Sequence, residues 1–282
     1  MSTNQPYYFF NNKIVQKSQV LIGVDDIGFL RSYAVFDYLK TYFSEPFHLT
    51  DHINRFYNSA HLIGVDIPLK PTEIKEIIYE LIKINLFPES SLRIIVTGGS
   101  SPDGKLPGKP NLIIGCEPRN EIPKIYYATG VKIKSIKDYR EAPEIKTVNY
   151  TMAIKYLKDF QPKGFFEVLY VNNNLITECT SSNIFFIKGK KLLTPKFEIL
   201  FGITRKIVLT LAKEHFDVEE RDIYFHEISD FDESFITSTD KEVLPVISID
   251  NQEFNKGQVG NHTKFIMRLF QDYVESKIWF ER

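Results

Sequence analysis

Between residues 71 and 87 the sequence reads PTEIKEIIYELIKINLF, with Ile74, Ile77, Ile78, Leu81 and Ile82 three or four positions apart and mostly charged residues between them. A period near 3.6 gathers those side chains into one apolar stripe, which predicts a core-facing helix behind Thr72 as N-cap. LTDHINRFYNSAHLIG repeats the pattern: Ile53, Phe56, Ala60 and Ile63 share one face, with Thr50 as the expected N-cap and His48 just off the helix. Short β-branched and aromatic runs read as strands instead, YYFF and KIVQ near the start, then SLRIIVTGG and KPNLIIGCEP around a Gly/Pro-rich loop. The first third is therefore one α+β unit.

Periodicity lapses in EPRNEIPK, residues 117–124, and resumes in IYYATGVKI. A boundary near Ile122 follows, with a smaller α+β domain over residues 1–121 and a larger α/β domain over 122–282. In the second part FFEVLYVNN, LITE, NIFFI, KLLT and DESFITS read as strands. Helices are predicted from Thr204 through Leu211 and from about Asn261 onward. The chain shows no internal repeat or low-complexity tract.

Composition narrows the function classes. The chain has 282 residues, 43 % hydrophobic and 25 % charged, with a net charge of −1, which is ordinary for a globular protein and offers no basic surface for nucleic acid. The start, MSTNQPYYFFNNKIVQ, lacks the basic and apolar regions of a leader, and no window reaches about 18 apolar residues, so a cytoplasmic protein with no membrane or nucleic-acid partner is expected. Cys116 and Cys179 are far apart with no CxxC, which reads as two buried thiols rather than a disulfide or zinc site.

Three motifs come close to known chemistry and fail. Gly99, Gly104 and Lys105 have P-loop spacing, but Leu106 stands where a Ser or Thr would meet magnesium and Pro102 removes a backbone N–H; a plain exposed loop is the better reading. His48 and His52 are four apart, yet there is no HExxH and no third ligand group, so no metal is expected. No GxGxxG follows a strand.

Four segments taken together carry chemistry: DHINRFYNSA with Arg55, EIKTVNY with Lys146, LITECTSSN with Glu178, and FGITRKIV with Thr204. Singly each has a structural explanation: a surface arginine, a solvated lysine, a strand-end charge, a helix N-cap. A lysine amine, a carboxylate for a pyridine nitrogen and an anion site for a phosphate are together the protein's share of pyridoxal phosphate catalysis. GIT opening a helix suits phosphate, because free N–H groups and the positive dipole end point outward there. Arg55 would add a bidentate positive charge.

These segments resemble the class IV aminotransferases, the fold-type IV pyridoxal-phosphate family of branched-chain and D-amino-acid aminotransferases and aminodeoxychorismate lyase. The family pattern appears in order across nearly the whole chain: H-x-x-R with a following S-A at His52, Arg55, Ser59 and Ala60; K-x-x-N-Y at 146–150; T-E-x-x-x-S-N at 177–183; G-I-T-R at 202–205; and T-S-T-x-x-E at 237–242. The resemblance implies pyridoxal 5′-phosphate as cofactor, two α/β domains and a homodimer in which the loops near Arg31 and 99–109 reach the partner's site. It also implies roles: Lys146 as Schiff-base lysine and proton carrier, Glu178 at the pyridine nitrogen, Arg55, Ile203, Thr204 and Thr239 at the phosphate, and Tyr150 beside cofactor and substrate. A partly desolvated lysine gives up its proton more readily than an exposed one, which suits the carrier role.

The resemblance implies an amino acid as substrate with a 2-keto acid as acceptor, and two departures from the family bear on which. RSYAVFD stands where Y-G-x-x-V-F-E is usual, so Arg31 replaces a pocket tyrosine and Asp37 a glutamate. In branched-chain enzymes the α-carboxylate lies near the turn matching Ser238, Thr239 and Asp240; in D-amino-acid enzymes it lies on the opposite side, near the position of Arg31. A guanidinium at 31 and a carboxylate at 240 both favour D-substrates. The usual Arg-x-His trap after Thr97 is missing, with Lys105 and Lys109 in that loop, while Arg93 matches an arginine of branched-chain enzymes. The expectation is a D-amino-acid transaminase acting on D-alanine or D-glutamate with 2-oxoglutarate, anchored by Arg31 together with Arg93. The alternatives are a branched-chain L-amino-acid aminotransferase and aminodeoxychorismate lyase.

Overall fold

Alternating apolar side chains build the first sheet. In the computed structural model, which describes residues 5–280, strands β1 (Tyr7–Phe10) and β2 (Lys13–Gln16) are followed by a short helix α1 (Ile27–Arg31), by β3 (Ala34–Tyr42) and by β4 (Glu45–Pro46). Helices α2 (Leu49–Leu62) and α3 (Pro71–Asn85) come next, then β5 (Ser90–Thr97) and β6 (Asn111–Pro118). The strands lie in the order β2-β1-β6-β5-β3-β4 and pair antiparallel throughout. Leu39, Leu92 and Ile114 pack with Ile53 and Phe56 of α2 and Ile74 and Ile78 of α3. On the opposite face Phe36 and Tyr38 of β3 and Arg93 of β5 remain partly or fully accessible, as period-2 alternation requires.

Two expected caps are corrected. The helix α3 starts at Pro71, a favoured first position, and its N-cap is Lys70, whose N–H donates to Glu73 Oε2 at 2.7 Å. Thr72 therefore lies inside the helix. The N-cap of α2 is His48, in the left-handed region at φ 52°, with its ring Nδ1 2.9 Å from Asp51, so Thr50 is also helical.

The second sheet is larger and mixed. Its elements are α4 (Lys124–Thr129), β7 (Val131–Ile136), α5 (Thr151–Phe160), β8 (Glu167–Asn172), β9 (Leu175–Cys179), β10 (Asn183–Lys188) and β11 (Lys191–Pro195). They continue with α6 (Ile203–Ala212), β12 (Asp217–Arg221), β13 (Ile223–Tyr224), β14 (Glu233–Ser238), β15 (Glu242–Ile249), β16 (Gln252–Glu253) and α7 (Asn261–Phe280). The order is β12-β11-β10-β14-β15-β7-β8-β9-β13, with β16 on β15. Strand β10 is apolar at successive positions because both its faces are covered. Ile184 and Phe186 join Ile236, Leu244 and Phe254 on one side, and Phe185 stacks on Phe235 at 4.8 Å on the other.

Sequence periodicity missed β15, whose Pro245 argues against a strand; it pairs with Phe235 of β14, and the register toward β7 shifts between Val246 and Ser248. Strands β12 and β13 and helix α5 were also not anticipated. Of α5, only Ala153 is buried.

The chain separates into two compact units, one formed by residues 1–120 and 145–149, the other by 121–144 and 150–282. The strip carrying Lys146 thus joins the first sheet rather than the segment that surrounds it in sequence. Cys116 and Cys179 are both buried, and burial raises both thiol pKa values. Among the described residues no helix is long and apolar enough to cross a membrane. The first four residues of the N-terminal stretch examined for a leader lie outside the described residues.

Candidate active site

In the first unit, residues 145–149 lie along the start of β3. The Phe36 N–H donates to the Lys146 carbonyl at 2.9 Å, Val148 N–H donates to Ala34 at 3.1 Å, and Val35 and Thr147 form a β-bridge. From the other direction, Lys146 N–H donates to Ser59 Oγ of α2 at 3.2 Å. The backbone is fixed while the side chain projects, with Nζ 4.6 Å from the centre of the Phe36 ring. Arg93 lies over that ring and over Tyr38, 5.8 Å from each. Phe36 therefore joins the ammonium and the guanidinium on one sheet face.

Asp37, next to Phe36, points the other way, into the core, where alternation alone would place an apolar residue. Its carboxylate takes Arg55 in a two-pronged grip, Nε to Oδ2 and Nη2 to Oδ1, both 2.8 Å, and meets His52 Nδ1 at 2.7 Å. Burial works against the Asp37 charge, but Arg55 and then His52 outweigh it and hold the carboxyl well below its usual range. Burial also dominates at His52, lowering its pKa against the pull of Asp37. The trio is one carboxylate, one guanidinium and a neutral imidazole, and it orients Arg55 with its Nη1 edge unused by this grip. Asp37 was read from sequence only as a departure from a motif; its position on the buried side of β3 was the available signal.

In the second unit Glu178 closes β9 at 4 % exposure. Its Oε2 accepts the Leu200 N–H at 2.9 Å and its Oε1 lies 3.1 Å from Arg140 Nε. Arg140, in a loop with no periodic pattern, was not anticipated. Tyr150 precedes α5 in the same charged neighbourhood; burial raises its pKa, with Arg140 opposing and Glu178 reinforcing.

Helix α6 begins at Ile203 behind Gly202, with no side-chain cap. By helix geometry its first-turn N–H groups have no intrahelical acceptor. A Cβ at 202 would come within 2.1 Å of Asn183 Oδ1, so only glycine allows this approach. Thr204 is buried at that end. Thr237, opposite Asn183 across β10 and β14, keeps a buried hydroxyl with no hydrogen-bond partner. Thr239 and Asp240 follow in the turn before β15. A helix N-terminus, buried hydroxyls and a buried carboxylate fit a phosphorylated pyridine ring.

A sequence profile of the family described as Amino-transferase class IV matches residues 34–249. The chain belongs to this family. Similar to it, at 31 % identity over 275 residues covering 95 % of this chain and 97 % of the relative, is the D-alanine aminotransferase of Bacillus licheniformis. A Methanocaldococcus jannaschii protein named for branched-chain-amino-acid aminotransfer is 31 % identical over 276 residues, covering 94 % of this chain and 95 % of its own. Among solved structures, the branched-chain amino acid aminotransferase of Escherichia coli superposes with a TM-score of 0.89 at 25 % identity, covering 95 % of this chain and 94 % of that one. The protein is thus a class IV, fold-type IV aminotransferase, and the cofactor of this aminotransferase is pyridoxal phosphate.

Of the residues expected at the site, Arg55, Lys146 and Arg93 are gathered in the first unit, and Tyr150, Glu178, Ile203, Thr204, Thr239 and Asp240 belong to the second. Arg31 is set apart, in the exposed last turn of α1. In the 99–109 loop, Asp103 accepts the N–H groups of Lys105 and Leu106 at 2.8 and 3.1 Å, so those donors serve the loop itself. His52 is tied to Asp37 and His48 to Asp51.

Proposed function

We propose that this aminotransferase moves the amino group of D-amino acids, D-alanine or D-glutamate, onto 2-oxoglutarate, as a cytoplasmic homodimer. The observation that carries this reading is the placement of charge. A guanidinium, Arg93, shares the Phe36 ring with Lys146, whereas the turn after β14 carries the carboxylate of Asp240, which accepts the Ser238 hydroxyl at 2.6 Å. A substrate α-carboxylate is attracted by the first and repelled by the second. Arg31 supplies the second anchor, acting in the site of the other copy. Its surroundings support a dimer: Leu21, Val24, Phe29, Leu30 and Leu106 of the first unit expose large apolar side chains.

The bound cofactor supplies an electron sink for carbanion chemistry at the substrate Cα. The chain's residues do the rest. The Lys146 amine would carry the proton released from the substrate Cα, its backbone fixed by Phe36 and Ser59 while its side chain stays flexible. Glu178 would keep a positive charge on the ring nitrogen, with Arg140 and the Leu200 N–H holding the carboxylate in place. Arg55, positioned by Asp37, would hold the phosphate, as would Ile203, Thr204 and Thr239, and Tyr150 would flank the ring.

A second reading has one observation in its favour. On the Phe36 face, Arg93 could equally hold the distal carboxylate of L-glutamate in a branched-chain enzyme. The test is the half-reaction of cofactor-loaded protein with D-alanine, D-glutamate, L-leucine and L-glutamate in turn, followed by cofactor absorbance. Conversion by the D-amino acids alone supports the proposal. Conversion only by the L-amino acids replaces it with the branched-chain reading.

A further inference from the structure

Asp26 is a buried carboxylate that none of the roles above uses. It is 1 % exposed, and burying a carboxylate is costly unless donors surround it. Three do. Oδ1 accepts the Gly28 N–H at 2.7 Å, and Oδ2 accepts the Thr97 hydroxyl at 2.6 Å and the Asn111 side-chain amide at 2.7 Å. Gly28 belongs to α1, Thr97 ends β5 and Asn111 begins β6. One side chain therefore joins the helix that carries Arg31 to both roots of the 99–109 loop.

A staple for the sheet alone would not need this group, because Thr97 and Asn111 already face each other in the β5–β6 ladder. What the carboxylate adds is α1. Five residues are too few to hold a helix by themselves, and of these only Ile27 is buried. Backbone contacts run the same way from helix to loop: the Ile27 N–H donates to the Gly99 carbonyl at 2.9 Å, the Ser101 N–H donates to the Asp25 carbonyl at 3.0 Å, and Asp26 and Ser100 form a β-bridge. Gly99, at φ 75°, passes so close to the other arm of the loop that a Cβ there would lie 1.7 Å from the Lys109 carbonyl oxygen. At the loop tip a Cβ on Gly104 would meet Leu30 Cδ1 of α1 at 4.0 Å. Helix and loop thus present one surface, on which Phe29, Arg31, Lys105 and Leu106 are all exposed.

We propose that Asp26 is a positioning residue: it makes α1 and the 99–109 loop one rigid unit and thereby sets where the Arg31 guanidinium stands. This rests on the reading that Arg31 anchors substrate in the site of the other copy. The action of Asp26 is indirect, through the three donors it holds. An amide in its place keeps the size but turns one of the two acceptor oxygens into a donor, which leaves at least one of the three without a partner. The tie between α1 and the loop is then broken.

The experiment uses the cofactor-loaded enzyme, Asp26→Asn and Arg31→Ala, with the amino acid that the parent converts. Hydrogen exchange in Asp26→Asn is expected to quicken about tenfold in α1 and in the 99–109 loop together. KM should rise about tenfold with kcat nearly unchanged, the mark of binding lost equally before and at the transition state. An unchanged KM, or faster exchange in only one of the two segments, overturns the proposal. Thr97→Val, which removes one of the three donors, carries the same expectations if Asp26→Asn does not fold. A mixed dimer then separates positioning from simple damage. Asp26→Asn chains are co-expressed with Lys146→Ala chains and purified through two different tags, so that the one working site takes Arg31 from an intact α1. The parental KM is expected there. If Arg31→Ala paired in the same way recovers and Asp26→Asn does not, the proposal is overturned. If neither recovers, the reading of Arg31 across copies falls, while KM and exchange in Asp26→Asn alone still decide the positioning role.

Discussion

Two cations in this aminotransferase, the half-buried Arg55 and the buried Lys241, are held in opposite ways. Arg55 meets a single carboxylate, Asp37, through two parallel bonds between a strand and a helix, with a neutral histidine completing the set. Lys241 meets two carboxylates, Glu167 and Asp240, and two hydroxyls, with no contact between charges shorter than 3.5 Å. The planar guanidinium makes the first arrangement directional and rigid. The ammonium is a point charge, so the second arrangement lets partners be exchanged. The rigid set suits an orienting role and the looser one ties the turn after β14 to Ser181 and Glu167.

The largest expected effect tests the amine proposed to react, apart from both cation sets. Replacing Lys146 with Ala should lower kcat by roughly 10⁴-fold, at the upper end of what a proton-transfer group contributes, while far-UV circular dichroism stays unchanged. Retained turnover would move the reaction away from this lysine.

The rigid set comes next. Asp37→Ala leaves the half-buried Arg55 guanidinium and the buried His52 without their carboxylate, and urea denaturation should show a loss of about 3 kcal/mol. A loss below about 1 kcal/mol would mean that Arg55 is not held as described.

A subtler change tests geometry alone. Arg55→Lys keeps the charge but not the two-pronged grip, so stability should fall by about 1–2 kcal/mol. Cofactor dissociation, read by loss of absorbance on dilution, should weaken about tenfold in Kd. An unchanged Kd would remove Arg55 from the phosphate.

The smallest effect is a slope. His52 has a lowered pKa in the folded protein, so the unfolded chain binds the proton more readily. Its contribution is full above the unfolded value of about 6.5 and is lost as pH falls below it. Asp37 is also lowered, so its contribution holds above about 4 and is lost only in stronger acid. Melting temperatures between pH 7 and 5 should therefore decline in the parent and flatten in His52→Gln. Equal slopes would place the titrating group elsewhere.

The family was legible in sequence because it rests on short segments whose order is distinctive: Lys146 with Tyr150, Glu178 with Asn183, Gly202 with Thr204. Helix α3 was legible because its periodicity is strong, and strand β10 because its apolar run is unbroken. Arg140 was not, since it lies in a loop without a pattern, nor was the pairing of Asp37 with Arg55, 18 positions apart. The caps of α2 and α3 were misplaced because a threonine near a helix start competes with geometries such as a left-handed His48 or a proline at the first position.

By itself the sequence determined the reaction class, since it needs residue types in an order that the chain carries, and most regular elements, since 3.6- and 2-residue periods follow from local backbone geometry. Only the tertiary structure decided that residues 145–149 join the first sheet, that Asp37 faces inward to grip Arg55, and that Lys241 reaches Ser181 across 60 positions. The reason is physical: a charge is stabilised by whatever surrounds it at a few ångströms, and those neighbours come together only when distant parts of the chain pack.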